Sequence, residues 1–188
     1  MLAAMKAQPI APNPLRRGLV EDRTSDACAV VIFGASGDLT RRKLMPALYN
    51  LACSRSLPGG FAVVGVARRE KTDESFRAEM KEAVSAFSRR KPIDATLWTD
   101  FERGLSYVRG AADSPATYEA LRAHLERTDA ERGTRANRLY YLATQPSAFA
   151  EIVAQLGRAG LDHERHEGGW RRVVIEKPFG RDLDSAIR

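Results

Sequence analysis

Short apolar runs, separated by longer stretches of helical periodicity, recur along the chain. The first, Ala29 to Phe33, is too short for a free-standing helix and rich in β-branched residues, which predicts a strand buried on both faces. Phe61 to Ala67 repeats the pattern, and Leu105 to Val108, Arg138 to Ala143 and Arg172 to Glu176 predict a third, fourth and fifth strand. The stretches between them read as helices. After the first strand we expect a short helical turn over 39–44 and a main helix over 45–54, separated by Pro46, with Leu48, Leu51 and Ala52 facing the sheet. Thr72-Asp73-Glu74 is an N-cap followed by acidic first-turn residues, and the helix it opens places Phe76, Met80, Ala83, Val84 and Phe87 on one buried face. A short helix fits 94–103, Ser114-Pro115 starts another that runs to about Glu126, Gln145-Pro146 turns into one over 147–159, and a last one begins near Arg181.

Strands alternate with helices and no hairpin signal interrupts them. The economical packing is an α/β fold, a Rossmann-like doubly wound parallel sheet with helices on both faces and right-handed connections. Residues 1–27 carry three prolines and end in a polar run, so they read as a flexible arm preceding a domain over 28–188. In such sheets ligands bind at the carboxyl ends of the strands. Gly34 to Thr40, Arg68, Thr144 to Pro146 and Lys177 all follow predicted strand ends.

The first of these segments carries the clearest chemistry. The strand ends at Gly34-Ala35-Ser36-Gly37, and polar, helix-permissive residues follow. Strand, small-residue turn and helix start let backbone N–H groups approach a phosphate where the helix dipole favours negative charge. The turn is a variant one, since Ser36 and Leu39 stand where two glycines of the usual pattern would be. A tight β–α connection with no ligand would use the same residues. At the end of the second strand an NAD site usually carries an acidic residue for the ribose hydroxyls. Here Arg68-Arg69 come first and Glu70 only after them, 34 positions and more beyond Gly34. A guanidinium at that corner can grip a 2′-phosphate bidentately, so NADP is favoured over NAD; the alternative is that Arg68 and Arg69 are plain surface residues.

Composition adds limits. With 188 residues, 44% hydrophobic and 29% charged, the chain has room for one sizeable core and too little for two full domains. The net charge of +6 is arginine spread along the whole length, with no basic block longer than three residues, no zinc-finger spacing and no RNA-binding aromatic pattern, so nucleic acid is not expected as a partner. Cys28 and Cys53 have no neighbours at metal-ligand spacing and read as small hydrophobes; no metal is expected. His124, His163 and His166 lie in polar surroundings and read as surface residues. No run reaches membrane-spanning length and residues 1–8 lack a signal-peptide core, so a cytoplasmic protein without membrane attachment is expected.

Two motifs then point to one family. Ile32-Phe33-Gly34-Ala35-Ser36-Gly37-Asp38-Leu39-Thr40-Arg41-Arg42-Lys43-Leu44-Met45-Pro46 and the helix after it closely resemble the coenzyme loop of glucose-6-phosphate dehydrogenases, and Glu176-Lys177-Pro178-Phe179-Gly180-Arg181-Asp182-Leu183 is similar to that family's second signature. Tyr141-Leu142-Ala143-Thr144-Gln145-Pro146 resembles a third segment that usually ends in Pro-Pro, with Gln145 as a departure. The resemblance implies that Gly34, Ala35, Ser36, Gly37, Asp38, Leu39, Thr40 and Arg41 hold the coenzyme pyrophosphate, with Asp38 capping the helix start rather than facing the ligand. It implies that Arg68 holds the 2′-phosphate. Lys177 would contact both coenzyme and sugar phosphate, turned into the cleft by a cis Pro178. The implied reaction is oxidation of β-D-glucose 6-phosphate at C1 to 6-phosphogluconolactone with hydride transfer to NADP, in a homo-oligomeric full-length parent. The family's general base, a histidine paired with aspartate in an Arg-Ile-Asp-His-Tyr-Leu-Gly-Lys type segment, has no counterpart among these 188 residues, and none of the three histidines fits the role. The chain is thus expected to be the coenzyme part of an enzyme more than twice as long, inactive alone. A stand-alone NADP-binding module with a sensing or docking role is the rival. A short-chain reductase is not: no tyrosine here has lysine four residues on.

Overall fold

The structure, a computed structural model, describes residues 24–164 and 169–177. Five parallel strands, β1 (Cys28–Phe33), β2 (Phe61–Ala67), β3 (Leu105–Arg109), β4 (Arg138–Leu142) and β5 (Arg171–Ile175), lie in the order β3-β2-β1-β4-β5. β1 is central, with Val31 beside Val64 on one flank and Tyr140 on the other. Every residue of β1 is buried, and the alternation of side chains explains why its apolar run is unbroken. Val30 and Ile32 join a core with Met45, Tyr49, Phe76, Met80 and Trp98, whereas Val31 and Phe33 join one with Tyr118, Leu121, Leu125, Ile152 and Leu156. The first core lies under α1 (Met45–Cys53), α2 (Asp73–Phe87) and α3 (Ala95–Glu102), and the second under α4 (Pro115–Arg132) and α5 (Phe149–Arg158). The expected doubly wound architecture is thus present. The chain builds outward from β1 to β3, then returns to the other side of β1, which puts the topological switch between β1 and β4.

Four details differ from the sequence reading. Pro46 does not separate two helices. A π-helical stretch, Thr40–Leu44, runs into α1 with helical dihedrals at Leu39, Leu44 and Met45, and the Met45 amide donates five residues back to the Thr40 carbonyl. That widened turn accommodates a proline, which has no N–H and whose ring would crowd the fourth carbonyl before it in an ordinary helix. Leu51 is exposed at 43%, because the buried stripe of α1 falls at Met45, Leu48, Tyr49 and Ala52. Phe87, also 43% exposed, continues the stripe of α2 past the end of the core and has the Arg42 guanidinium 5.4 Å from its ring centre. Finally, α4 extends to Arg132, where Gly133 closes it in the left-handed conformation at φ 65°.

His124 is half-buried on α4 rather than a free surface residue. Arg127 donates to its Nδ1 at 3.0 Å, so Nε2 carries the proton and donates to Ser106 Oγ at 2.7 Å. Burial and the Arg127 charge hold its pKa below the ordinary histidine value. The unfolded chain therefore takes up a proton first, and this contribution to stability, complete above about pH 6.5, is lost as pH falls through the folded value. Thermal melts of wild type and His124→Gln between pH 7.5 and 5 should show a steeper acid-side loss in the wild type; parallel curves would exclude the effect. His163 is exposed beside Asp162, at 2.5 Å, and His166 lies outside the described residues. Among the described residues no helix is long and apolar enough to cross a membrane, and no group of His, Cys, Asp or Glu is arranged to hold a metal ion.

Candidate functional site

The carboxyl ends of β1 to β4 open into a cleft of about 670 Å³, within the range that accommodates a nucleotide cofactor. Its floor is the turn after β1. Gly34 has φ +86°, and a Cβ there would stand 2.4 Å from the Ala143 carbonyl oxygen at the end of β4. Glycine is thus required for the turn to pass between β2 and β4. Its amide and that of Ala35 donate to the Val66 carbonyl at 2.9 and 3.2 Å, and the Gly37 amide donates to the Gly34 carbonyl. With those donors occupied, the amides able to meet an anion are those of Ser36 and of the helix start. Gly65 lets the turn sit low, since a Cβ there would lie 2.8 Å from both Ala35 Cβ and Phe76 Cζ.

The predicted site residues divide accordingly. Gly34, Ser36, Gly37 and Arg68 line the cleft, with Arg69 beside them. Ala35 and Thr40 are fully buried, and the Thr40 hydroxyl donates to the Gly34 carbonyl at 3.4 Å, so the Thr40 side chain braces the turn from behind. Leu39 has helical dihedrals at the start of the π-helical stretch. Asp38 does not cap the helix: its exposed carboxylate pairs with Arg42 one turn on, at 3.3 Å, the nearer demand in a helix that begins at Asp38 itself. Arg41 turns toward α2, where Glu79 receives it at 3.4 Å. Lys177 is exposed just past β5, the strand farthest from the β1–β2 floor on that side, and is not in the cleft wall. The Pro178 expectation lies outside the described residues.

The Arg68 corner is held by its backbone. The Tyr107 hydroxyl shares its one proton between the carbonyls of Ala67 and Arg69, at 3.1 and 2.7 Å, one on each side of Arg68, and the Gly110 amide also donates to the Ala67 carbonyl. Burial raises the Tyr107 pKa, so the hydroxyl keeps the proton it donates. Among the described residues the Arg68 guanidinium has no carboxylate partner, whereas Glu70, the only acid close behind, is engaged by Arg109 at 3.2 Å. The corner thus offers a cation, and the acid next to it in sequence is already paired.

Sequence reasoning missed the opposite wall. Asp113 and Glu151 face the cleft from the chain entering α4 and from α5, next to the expected Thr144 to Pro146 segment, where Thr144 Oγ1 is buried without a hydrogen-bond partner near Gly34. Nothing in the local sequence marks Asp113 or Glu151; only the strand order brings them beside β1. Outside the cleft lining, two of the quoted motif segments meet: the Tyr141 hydroxyl donates to Glu176 Oε1 at 2.5 Å across β4 and β5. Burial and that carboxylate push the Tyr141 pKa up to about 12. The pair fixes the residue preceding Lys177.

Comparison with known proteins gives concordant results. Residues 31–188 match the family model described as glucose-6-phosphate dehydrogenase, NAD binding domain. A glucose-6-phosphate 1-dehydrogenase of Chlamydia pneumoniae is 49% identical over 171 residues, which is 90% of this chain and 33% of that protein. Among solved structures, a glucose-6-phosphate dehydrogenase in complex with its substrate glucose-6-phosphate superposes with a TM-score of 0.74 at 33% identity, over 87% of this chain and 33% of that one. The glucose-6-phosphate 1-dehydrogenase of Mycobacterium avium gives 0.71 at 34% identity, over 86% of this chain and 32% of that one. The chain spans about a third of the length of the relatives it matches.

Proposed function

Since this chain belongs to the glucose-6-phosphate dehydrogenase family, we propose that it is the coenzyme-binding part of an NADP-dependent enzyme that oxidises glucose 6-phosphate at C1. The observation that carries the coenzyme reading is the Arg68 corner, a guanidinium on a pinned backbone with no carboxylate partner among the described residues and with Glu70 drawn away by Arg109. The cleft fits the group in two further respects: a turn that only glycine can make, and a buried Thr144 hydroxyl that awaits a partner. The turn over residues 34–41 would take the pyrophosphate through backbone amides at Leu39 and Thr40, with the Arg41 side chain turned away to Glu79. Arg68 would take the 2′-phosphate. When bound, NADP supplies the hydride acceptor.

Lys177 would hold the sugar phosphate and orient it toward the coenzyme. Its position past the carboxyl end of β5, with Glu176 tied to Tyr141, supports that role. In the reaction the C1 hydride leaves as a general base takes the C1 hydroxyl proton, giving the lactone carbonyl. No Asp-His segment of the family type occurs in these 188 residues, so by themselves they would bind coenzyme without turnover; residues 28–188 would form the coenzyme domain, with the homo-oligomer contacts and most of the substrate site supplied by sequence of the kind that the relatives carry beyond the matched third.

Titration of the chain with NADP and NAD tests the reading. We expect tighter binding of NADP, and in Arg68→Ala a loss of about ten- to a hundredfold for NADP alone, the range for a charge-assisted hydrogen-bonding group. Equal weakening of NAD, or no weakening at all, would remove Arg68 from the 2′-phosphate site.

A further inference from the structure

One cluster beside the cleft is not accounted for by coenzyme binding as described. Glu79 of α2 carries two cations on one carboxylate. Its Oε2 contacts Lys71 Nζ, and its Oε1 stands 3.4 Å from Arg41 Nε. Lys71 and Glu79 are well covered, at 13% and 19% exposure, whereas Arg41 retains 43%. The two interactions are unequal. Lys71 is in close contact, while Arg41 Nε is buried with no hydrogen-bond partner, so its link to Glu79 is an ion pair without a directed bond. Arg41 is therefore held by charge and left short of an acceptor.

The neighbourhood gives this meaning. Lys71 lies three residues beyond Arg68 on the chain leaving β2, and Arg41 lies on the helix that leaves the phosphate turn. Burial and the charges of Arg69 and Arg41 lower the Lys71 pKa. Arg68 and Arg69 thus line the outer corner of the cleft, and Lys71, two residues beyond Arg69, is linked to Arg41 through the carboxylate those two share, Glu79.

We infer that Glu79 is a specificity-determining residue: its carboxylate restrains Arg41 from joining Arg68 on a 2′-phosphate, and Lys71, by competing for that carboxylate, sets how firm the restraint is. The inference rests on the NADP reading above. A phosphate offers Arg41 the directed, charge-assisted bonds that Glu79 does not provide, and a nucleotide without the 2′-phosphate offers nothing at that point. Glu79 therefore acts on the difference between the two coenzymes and not on the binding they share.

The experiment is calorimetric titration of the chain with NADP and NAD, and with adenosine 2′,5′-bisphosphate against 5′-AMP to isolate the corner. Glu79→Gln should raise the preference for the 2′-phosphorylated ligand by about three- to tenfold, the scale of one charge-assisted contact in a partly exposed site. Lys71→Met should lower it by a similar factor. In an Arg41→Gln background Glu79→Gln should give no gain. Glu82→Gln, an exposed acid on the same helix, should leave the preference unchanged. Three results would overturn the inference while leaving the NADP reading intact: no change in Glu79→Gln, an equal gain in Glu82→Gln, or a gain that survives without Arg41. If Glu79→Gln does not fold, an undiminished preference in Lys71→Met is decisive against it. A wild-type chain that is folded and shows no preference for the 2′-phosphate overturns the NADP reading and this inference together.

Discussion

Arg138→Ala should cost the domain about 3–5 kcal/mol of stability, the range for breaking one half of a buried ion pair. Arg138 begins β4 with its side chain only 4% exposed, and both guanidinium nitrogens engage the Asp129 carboxylate near the end of α4, Nη1 at 2.8 Å from Oδ1. The arginine also donates to the carbonyls of Asn137 and Leu125, while Asp129 accepts from the Thr134 hydroxyl and the Ala136 amide. Burial pushes the Asp129 pKa up, and the Arg138 and Thr134 hydrogen bonds outweigh it, leaving the carboxyl below its ordinary value. Removing the arginine strands that carboxylate in a site three-quarters covered. The same depressed pKa makes this stability complete above the unfolded value near pH 3.8 and lost as pH falls through the folded one. Urea unfolding of Arg138→Ala and of Arg138→Leu/Asp129→Leu decides the matter. The double variant should recover much of the loss, because a matched apolar pair leaves no charge behind. A single variant as stable as wild type would show that solvent already satisfies Asp129.

That cluster also shows where sequence reasoning stops. Arg138 was legible as the first residue of a strand because the apolar residues after it set the period, but its partner lies nine positions back on another element, and a charge in a strand gives no sign of what covers it. β1 and β2 were legible for the opposite reason: a strand buried on both faces must be apolar throughout, so its run marks the element and its centrality together. Leu51 is apolar yet exposed, because the stripe at 45, 48, 49 and 52 follows the helical period that packing enforces, and hydrophobicity alone does not reveal that spacing. Pro46 was misplaced because a single π-helical turn has no sequence signature. At the site, Gly34, Gly37 and Arg68 were legible because each answers a local backbone or charge requirement. Asp113 and Glu151 were not, since they reach the cleft only through the order β3-β2-β1-β4-β5, and the contact between Tyr141 and Glu176, each in a legible motif, depends on the same order. The network that would tune Arg68's neighbourhood, Lys71–Glu79–Arg41, joins three elements and is invisible to any window along the chain.

Gly34→Ala should be the most damaging single change to the cleft. The residue sits at φ +86°, where a side chain costs about 1–2 kcal/mol on its own. The larger penalty is steric: the new Cβ would lie 2.4 Å from the Ala143 carbonyl oxygen and 2.9 Å from its carbon. These are backbone atoms and cannot swing aside. Retreat of β4 would stretch the bond from the Ala143 amide to the Phe33 carbonyl, at 2.9 Å, and retreat of the turn would break the Gly34 amide from Val66 on the other side. The turn is clamped from both flanks, so strain must appear as a displaced turn, and with it the amides proposed to meet the pyrophosphate. We expect a loss of about 2–4 kcal/mol in unfolding free energy, the upper part of the range for single substitutions, and NADP and NAD affinities both reduced by about a hundredfold or more, as for sites in which a small misplacement is propagated to the ligand. Gly59→Ala provides the control, because a Cβ there meets nothing within 4 Å; it should stay within about 0.5 kcal/mol of wild type and bind normally. Equal loss of both coenzymes separates this variant from Arg68→Ala, which should discriminate between them. If Gly34→Ala bound NADP as the wild type does, the pyrophosphate would have to lie elsewhere in the cleft, and the turn after β1 would be no more than a tight connection between a strand and a helix.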